Sequence, residues 1–339
     1  MAIHFRKEEE WFSFNDGKET LIERKTEVRF DPLTGESSRL VFDPGLIPEV
    51  PNYTDEAEKT GGKNCPFCSE NIFKMTPVFT KGIADEGRIT QGEAILFPNL
   101  FPYSKHNGVV AFSGQHYVRL DEFTVPVICD AFLAAQTYIN RVSKSDSKAQ
   151  YASINWNYLP YAGGSILHPH LHIIGSEFPT NYQAMTIEKE KQYTNEIGEA
   201  YFSELYEMEK EIGERWIGEK GNVAWIHAYA PKSHNDFIGI FTQSTSVQSI
   251  TEQDWHDFAE GLTCIFATLK EQGFASFNLS LNISTDPTSI QPIHVRVIPR
   301  LTIGKLGTSD INFFQALQQE PLTYKAPEDI AKKARVHFK

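Results

Sequence analysis

The sequence predicts an α+β protein built from two related units in tandem. Three observations lead there. Strand-like and helix-like segments alternate regularly from Glu93 onward. The order strand, proline-containing turn, strand, long helix, strand, strand then occurs twice, and repeated order at this scale is the mark of a duplicated unit. Finally, a histidine stands at matching places in the last strand of each copy, His170 in the first and His294 in the second. A length of 339 residues accommodates two such units with real cores.

Residues 1 to about 60 are polar and turn-rich. They hold one hairpin, Glu23 to Phe30 and Ser38 to Phe42, around Asp31-Pro32-Leu33-Thr34-Gly35. Pro48, Pro51 and the acidic run after Tyr53 read as loop. In the first copy Ala94 to Phe97 and Gly108 to Phe112 are strands joined through Pro98-Asn99-Leu100-Phe101-Pro102-Tyr103. Gly114-Gln115-His116 turns the chain into an apolar-faced helix over Leu120 to Val142, and Gln150 to Asn157 alternates as a strand. Residues Ala184 to Trp216 are charged and read as a solvated helical connection. The second copy follows, with strands at Asn222 to Tyr229 and Phe237 to Phe241 around Ala230-Pro231-Lys232-Ser233-His234. Thr251 and Asp254 form a capping signature that opens a helix running to about Gln272. Phe277 to Ile283 and Ile293 to Ile298 are its last strands, separated by a loop at Asp286-Pro287. Laid over the first copy, His294 falls on His170, Arg296 on His172 and Pro292 on His168.

The most informative stretch is Gly163-Gly164-Ser165-Ile166-Leu167-His168-Pro169-His170-Leu171-His172. Alternate side chains of a strand share a face, so His168, His170 and His172 line up while Leu171 and Ile173 point the other way. Pro169 belongs at a strand start or edge. Three imidazoles on one face suit metal ligation, nucleophilic attack or proton transfer. Upstream lies Asn64-Cys65-Pro66-Phe67-Cys68. A redox dithiol would cap a helix after the first strand of a βαβ unit, but Thr60-Gly61-Gly62-Lys63 is no such strand. The pair therefore reads better as half of a zinc site whose other ligands come from elsewhere. Cys129 and Cys264 sit in apolar helical runs and read as inert buried thiols.

Composition narrows the classes further. The apolar fraction of 40% and charged fraction of 22% are those of a globular protein. No apolar run is long enough to span a membrane and the first residues lack a signal-peptide core, which points to a cytoplasmic protein with no membrane partner. A net charge of −12 argues against a nucleic-acid binder while leaving room for a nucleotide held by a few local donors.

The segment His168-Pro169-His170-Leu171-His172 resembles the histidine-triad (HIT) superfamily. The two-copy layout with an upstream Cys-x-x-Cys is similar to its galactose-1-phosphate uridylyltransferase branch. Phe97-Pro98-Asn99-Leu100-Phe101-Pro102 resembles that branch's segment near the nucleotide, and Ser113-Gly114-Gln115-His116 its histidine-bearing turn. Asn157, Gly163 and Ser165 match its Asn, Gly and Ser before the histidines, and Pro327-Glu328-Asp329-Ile330-Ala331 its closing helix.

The resemblance implies two HIT-like domains, each an antiparallel sheet with flanking helices: a catalytic one over 1–183 and a degenerate one over 184–339. It implies zinc held by Cys65, Cys68, His116 and His168, with His170 as the nucleophile that forms a covalent nucleotidyl intermediate. Ser165 and the backbone N–H groups near Gly163 and Gly164 would hold phosphate oxygens, Asn157 would orient sugar or phosphate, and Asn99 would lie near the nucleoside. His172 stands where the transferases carry Gln, and imidazole there could also activate water. The leading expectation is a nucleotidyltransferase acting on a nucleoside diphosphate sugar, with a homodimer as the family's assembly. The alternatives are a hydrolase or phosphorylase of nucleotide phosphoanhydrides such as dinucleoside polyphosphates, and an inactive nucleotide-binding protein stabilised by zinc.

Overall fold

The computed structural model describes residues 3–18, 20–42, 50–304 and 307–339. The N-terminal hairpin is present, as β2 (Leu21–Phe30) and β3 (Ser37–Val41), preceded by β1 (Arg6–Asn15). Gly35 closes its turn at φ +76°, a conformation open to glycine at little cost. No apolar face marks β1 in the sequence, because all ten of its residues are exposed, and the strand was not foreseen. The acidic run after Tyr53 is not loop but the short helix α1 (Thr54–Thr60). Asp55 and Glu56 in its first turn and Lys59 in its last complement the helix dipole. Pro48 lies outside the described residues.

The short helix α2 (Ile72–Met75) then leads into a ten-stranded antiparallel sheet. The first copy supplies β4 (Ile89–Gln91), β5 (Ala94–Pro98), β6 (His106–Ala111), β7 (Tyr151–Tyr158) and β8 (His170–Ser176). The second supplies β9 (Trp216–Lys220), β10 (Val223–His227), β11 (Phe237–Phe241), β12 (Ser276–Ser284) and β13 (His294–Arg300). Across the sheet the order is β4-β5-β6-β8-β7-β12-β13-β11-β10-β9, so reading inward from either edge gives the same connectivity. The copies meet at β7–β12, paired from Tyr158↔Phe277 to Tyr151↔Ser284. His170 opens β8 and His294 opens β13, the correspondence expected from the sequence overlay.

One face of this sheet is covered by α3 (Val125–Ser145) and α6 (Glu252–Glu271). Ile128, Phe132, Ala135 and Ile139 on α3 and Trp255, Phe258, Leu262, Ile265 and Leu269 on α6 recur at helical spacing and are all buried. Leu171 and Ile173 reach the same core from the histidine strand. Trp156 sits at its centre, with Phe112, Phe123, Phe266 and Phe277 around it at ring distances of 4.3 to 6.0 Å. A core of this density joins both copies. The second long helix begins at the foreseen place, since Thr251 and Asp254 complete their capping box. The first begins at Val125 rather than Leu120: Leu120–Glu122 is a single 3₁₀ turn, and Pro126 fits only the first turn of the helix that follows.

The opposite face differs between the copies. The charged connection forms α4 (Asn181–Ile197) and α5 (Tyr201–Ile212), and it is not merely solvated. Tyr201, Phe202 and Leu205 are buried against Ile226, Ile238 and Ile240 of the second copy. Phe202 stacks on His294 with ring centroids 3.7 Å apart, and the Tyr182 hydroxyl accepts from Arg296 at 2.7 Å. These helices fill the second copy's face at the place where the first copy stays open. After α7 (Phe313–Ala316), Leu322–Thr323 pairs with β3 and α8 (Pro327–Ala334) closes the chain. Glu328 of α8 accepts from Arg29 at 2.7 and 3.1 Å and from Arg215 at 3.1 Å, tying the N-terminal sheet to the second copy. No helix among the described residues is long and apolar enough to cross a membrane.

Candidate active site

Two loops and a strand start bring four soft donors together. Cys65 and Cys68 come from the loop between α1 and α2, His116 from the turn after β6, and His168 from the approach to β8. Asn71 Nδ2 holds the cysteine loop by donating to the carbonyls of Gly62, Lys63 and Cys65 at 2.9 to 3.1 Å. His168 Nδ1 lies 3.8 Å from Cys65 Sγ and 3.7 Å from Cys68 Sγ, and His116 Nδ1 lies 3.5 Å from Cys68 Sγ. All four donor atoms fall within 4.8 Å of one another. A tetrahedral ion with Cys₂His₂ ligation requires sulfur–nitrogen edges of about 3.6 Å, so the donor set fits. Both imidazoles are held from behind. His168 Nε2 donates to the Ser113 carbonyl at 2.8 Å, and His116 Nε2 to Thr60 Oγ1 at 2.9 Å, whose own proton goes to Glu56 O. Those bonds leave both Nδ1 lone pairs facing the sulfurs. Burial pushes the Cys65 thiol up to about 11, and a bound cation would draw it to the thiolate.

His170 follows immediately. Its ring is buried, and Nδ1 donates to the carbonyl of His168 at 2.8 Å, which makes Nε2 the nitrogen with the free lone pair. Burial and then the neighbouring His172 push it down to about 4, so the ring is neutral at neutral pH. Both histidines line a cleft of about 310 Å³ together with Asn99, Asn157, Gly163, Gly164 and Ser165. Among the described residues no Asp, Glu, Lys or Arg lines this cleft, so an anion in it would be met by imidazole, amide, hydroxyl and backbone groups. His172 is half-buried, with ring centroids 5.1 Å from His170 and 5.9 Å from Tyr103, and its Nδ1 is buried without a partner.

No family model matches the chain. An uncharacterized protein of Archaeoglobus fulgidus is 32% identical over 98% of both chains. Among solved structures, an ADP-glucose phosphorylase from Arabidopsis thaliana with bound ADP-glucose superposes with a TM-score of 0.71. It is 17% identical, over 91% of this chain and 98% of that one. A uridylyltransferase mutant superposes with a TM-score of 0.67 at 17% identity, over 92% and 98%. The chain belongs to the same family as that Archaeoglobus fulgidus protein. Its fold is that of the ADP-glucose phosphorylase and the uridylyltransferase.

Several side chains of the site carry more internal duty than the sequence suggested. Asn99 Oδ1 accepts from the Phe101 N–H at 3.1 Å and its Nδ2 donates to Asn107 Oδ1 at 3.0 Å, so its amide shapes the loop it sits in. The N–H groups of Gly163 and Gly164 donate to Pro160 O and Leu159 O at 2.9 and 3.1 Å. Among the described residues the N–H groups that follow, from Ser165 to His168, have no internal acceptor. A Cβ on Gly164 would lie 2.8 Å from the Asn157 carbonyl, so only glycine lets the loop pack this closely on the end of β7. Phe67, between the two cysteines, packs its ring 5.2 Å from that of His170 and so couples the metal loop to the cleft. Its place inside the Cys-x-x-Cys was the only signal for that role.

Proposed function

We propose that this protein is a nucleotidyltransferase that works through a covalent nucleotidyl-His170, with a nucleoside diphosphate sugar or similar phosphoanhydride as donor. The observation that carries this reading is the His170 ring, neutral, tied at Nδ1 to the His168 carbonyl and open at Nε2 to the cleft. Nε2 attacks the α-phosphorus. The P–N bond forms as the bond to the bridging oxygen breaks, and the leaving sugar phosphate or phosphate keeps that electron pair. The ring proton stays on Nδ1, where the carbonyl supports the positive charge of the modified imidazole. An acceptor oxygen then attacks the same phosphorus, the P–N bond breaks and His170 is regenerated. Ser165 and the donors around it hold the non-bridging oxygens, and Asn157 orients the phosphate or sugar.

In this reading residues 1–183 make the catalytic unit and 184–339 the degenerate one. Cys65, Cys68, His116 and His168 hold zinc, which serves structurally by fixing the residue whose carbonyl orients His170. His172, lining the cleft where a transferase carries an amide, favours a second reading in which the acceptor is phosphate or water rather than a sugar phosphate. The fold match to an ADP-glucose phosphorylase is consistent with that choice. Incubation with ADP-glucose or UDP-glucose labelled at the α-phosphate, followed by an alkaline quench, yields an acid-labile protein adduct that His170→Asn abolishes. Release of the label by phosphate identifies a phosphorylase, by a sugar phosphate a transferase, and by water alone a hydrolase. Label on His170→Asn at the wild-type level would refute the covalent route.

A further inference from the structure

Asn157 and Asn278 face each other across the seam between the two copies. Their amides are bonded in one direction only. Arg300 Nη1 donates to Asn278 Oδ1 at 3.1 Å. A guanidinium has donors and no acceptor, so this contact fixes which end of the Asn278 amide is oxygen. Asn278 Nδ2 is thereby aimed at two acceptors, Asn157 Oδ1 at 2.8 Å and the carbonyl of Ala162 at 2.8 Å. Arg300 is itself gripped by Asp310, whose carboxylate accepts from Nε at 2.9 Å and from Nη2 at 2.8 Å. The oxygen of Asn157 is therefore occupied. Its Nδ2, which has no partner among the described residues, is the end left to the cleft. The second bond, to Ala162, restrains the turn that delivers Gly163, Gly164 and Ser165.

We propose that Asn278, held by Arg300 and Asp310 of the second copy, is a positioning residue that locks the Asn157 amide with its N–H donors toward the phosphate of the substrate. This rests on the nucleotidyl-transfer reading above. An amide without the lock can turn over and present its oxygen to the anion instead. With no Asp, Glu, Lys or Arg lining the cleft among the described residues, the sign of each fixed dipole weighs on whether an anion is attracted or repelled. The lock gives the copy that lacks the histidine set a part in the chemistry of the copy that has it.

The test is a double-mutant cycle on the full-length protein. Its readout is the rate of adduct formation with labelled ADP-glucose or UDP-glucose, at saturating and subsaturating concentrations. Asn278→Asp keeps the shape and the contact to Arg300 but cannot donate to Asn157, which then turns its oxygen to the cleft. Adduct formation is expected to fall by about 100-fold, the lower end of the loss of one oxyanion donor. Asn157→Ala is expected to lose a similar factor, and adding Asn278→Asp to it should cost far less than it costs alone, because only the bond to Ala162 is then left to lose. A merely structural Asn278 would give losses that multiply. Should Asn278→Asp fail to fold, Asn278→Ala removes the lock without adding charge. It is expected to lose several-fold and to show the same non-additivity. Multiplying losses, or wild-type rates in a folded Asn278 variant, overturn the lock while leaving nucleotidyl transfer intact. A wild-type protein that forms no adduct overturns the nucleotidyl-transfer reading, and the lock with it.

Discussion

The backbone carbonyl of His168 accepts the Nδ1 proton of His170 at 2.8 Å, while the His168 ring turns its own Nδ1 to the sulfurs of Cys65 and Cys68 at 3.8 and 3.7 Å. One residue is thus both a wall of the candidate metal site and the hydrogen-bond partner that selects the tautomer of the neighbouring imidazole. The candidate metal site and the proposed nucleophile are two residues apart in the chain.

Cys65→Ser should therefore act on stability and chemistry together. Elemental analysis is expected to show loss of the metal. Denaturation should show a loss of at least about 3 kcal/mol, since a buried cage is left with unmatched donors. Adduct formation should fall too, because the His168 carbonyl is no longer held. A chelator should do the same to the wild-type protein. Retained metal with an unchanged melting temperature would show that the cage neither holds the ion nor supports the fold.

Glu190 of α4 is 7% exposed, has no hydrogen-bond partner among the described residues, and lines a cavity of about 570 Å³ beside the 284–293 loop. Burial pushes its carboxyl up to about 7. The folded protein therefore holds this proton more tightly than the unfolded chain, whose value is near 4.5. Its contribution is fully present below pH 4.5 and is lost as the pH rises through about 7. Glu190→Gln should match the wild type at pH 4.5 and be more stable at pH 8, by up to about 3 kcal/mol. A variant that is less stable at pH 8 would show that the carboxylate has a partner in solution.

Glu328 behaves in the opposite sense. Burial alone would raise its carboxyl, but Arg29 and Arg215 override burial and hold it at about 2. Its stabilisation is present above pH 4.5 and disappears as the pH falls through about 2. Glu328→Gln should cost about 2 to 4 kcal/mol at pH 7, because two guanidinium groups that are almost fully buried lose an anionic partner. Urea denaturation at pH 7, 4 and 3 should show the gap between variant and wild type narrowing. A constant gap would mean that shape, not charge, is what this residue supplies.

How far each feature could be read from the sequence depends on how local its signal is. The histidine strand, the Cys-x-x-Cys and the helix capped by Thr251 and Asp254 are written in contiguous residues, and all three appear in place. The duplication was legible because both copies keep their order, and the antiparallel β7–β12 seam is its structural expression. The burial of α5 was not legible, since Tyr201, Phe202 and Leu205 are embedded among charges that dominate the local pattern. Nor was the chain of contacts from Asp310 to Asn157, whose members lie far apart in sequence and meet only through strand register. The turn at Gly163 and Gly164 was placed correctly, but only the structure shows that its own hydrogen bonds use those N–H groups and leave unpaired the ones that follow, from Ser165 to His168, among the described residues.

The fate of the adduct turns on His172. Its ring sits 5.1 Å from that of His170 and lines the same cleft, so it has the position for proton transfer to an incoming acceptor. Water needs that help most, because it must lose a proton as it attacks, whereas inorganic phosphate arrives already ionised. General-base catalysis of this kind contributes about 10²- to 10⁴-fold. His172→Gln keeps a hydrogen-bond donor near the phosphoryl oxygens and removes the titratable nitrogen. Isolated nucleotidyl-protein from this variant should release its label into water at least about 10-fold more slowly than wild type, while phosphate still discharges it at a rate within a few-fold of wild type. Equal release into water from both proteins would assign His172 to holding the substrate rather than to moving a proton.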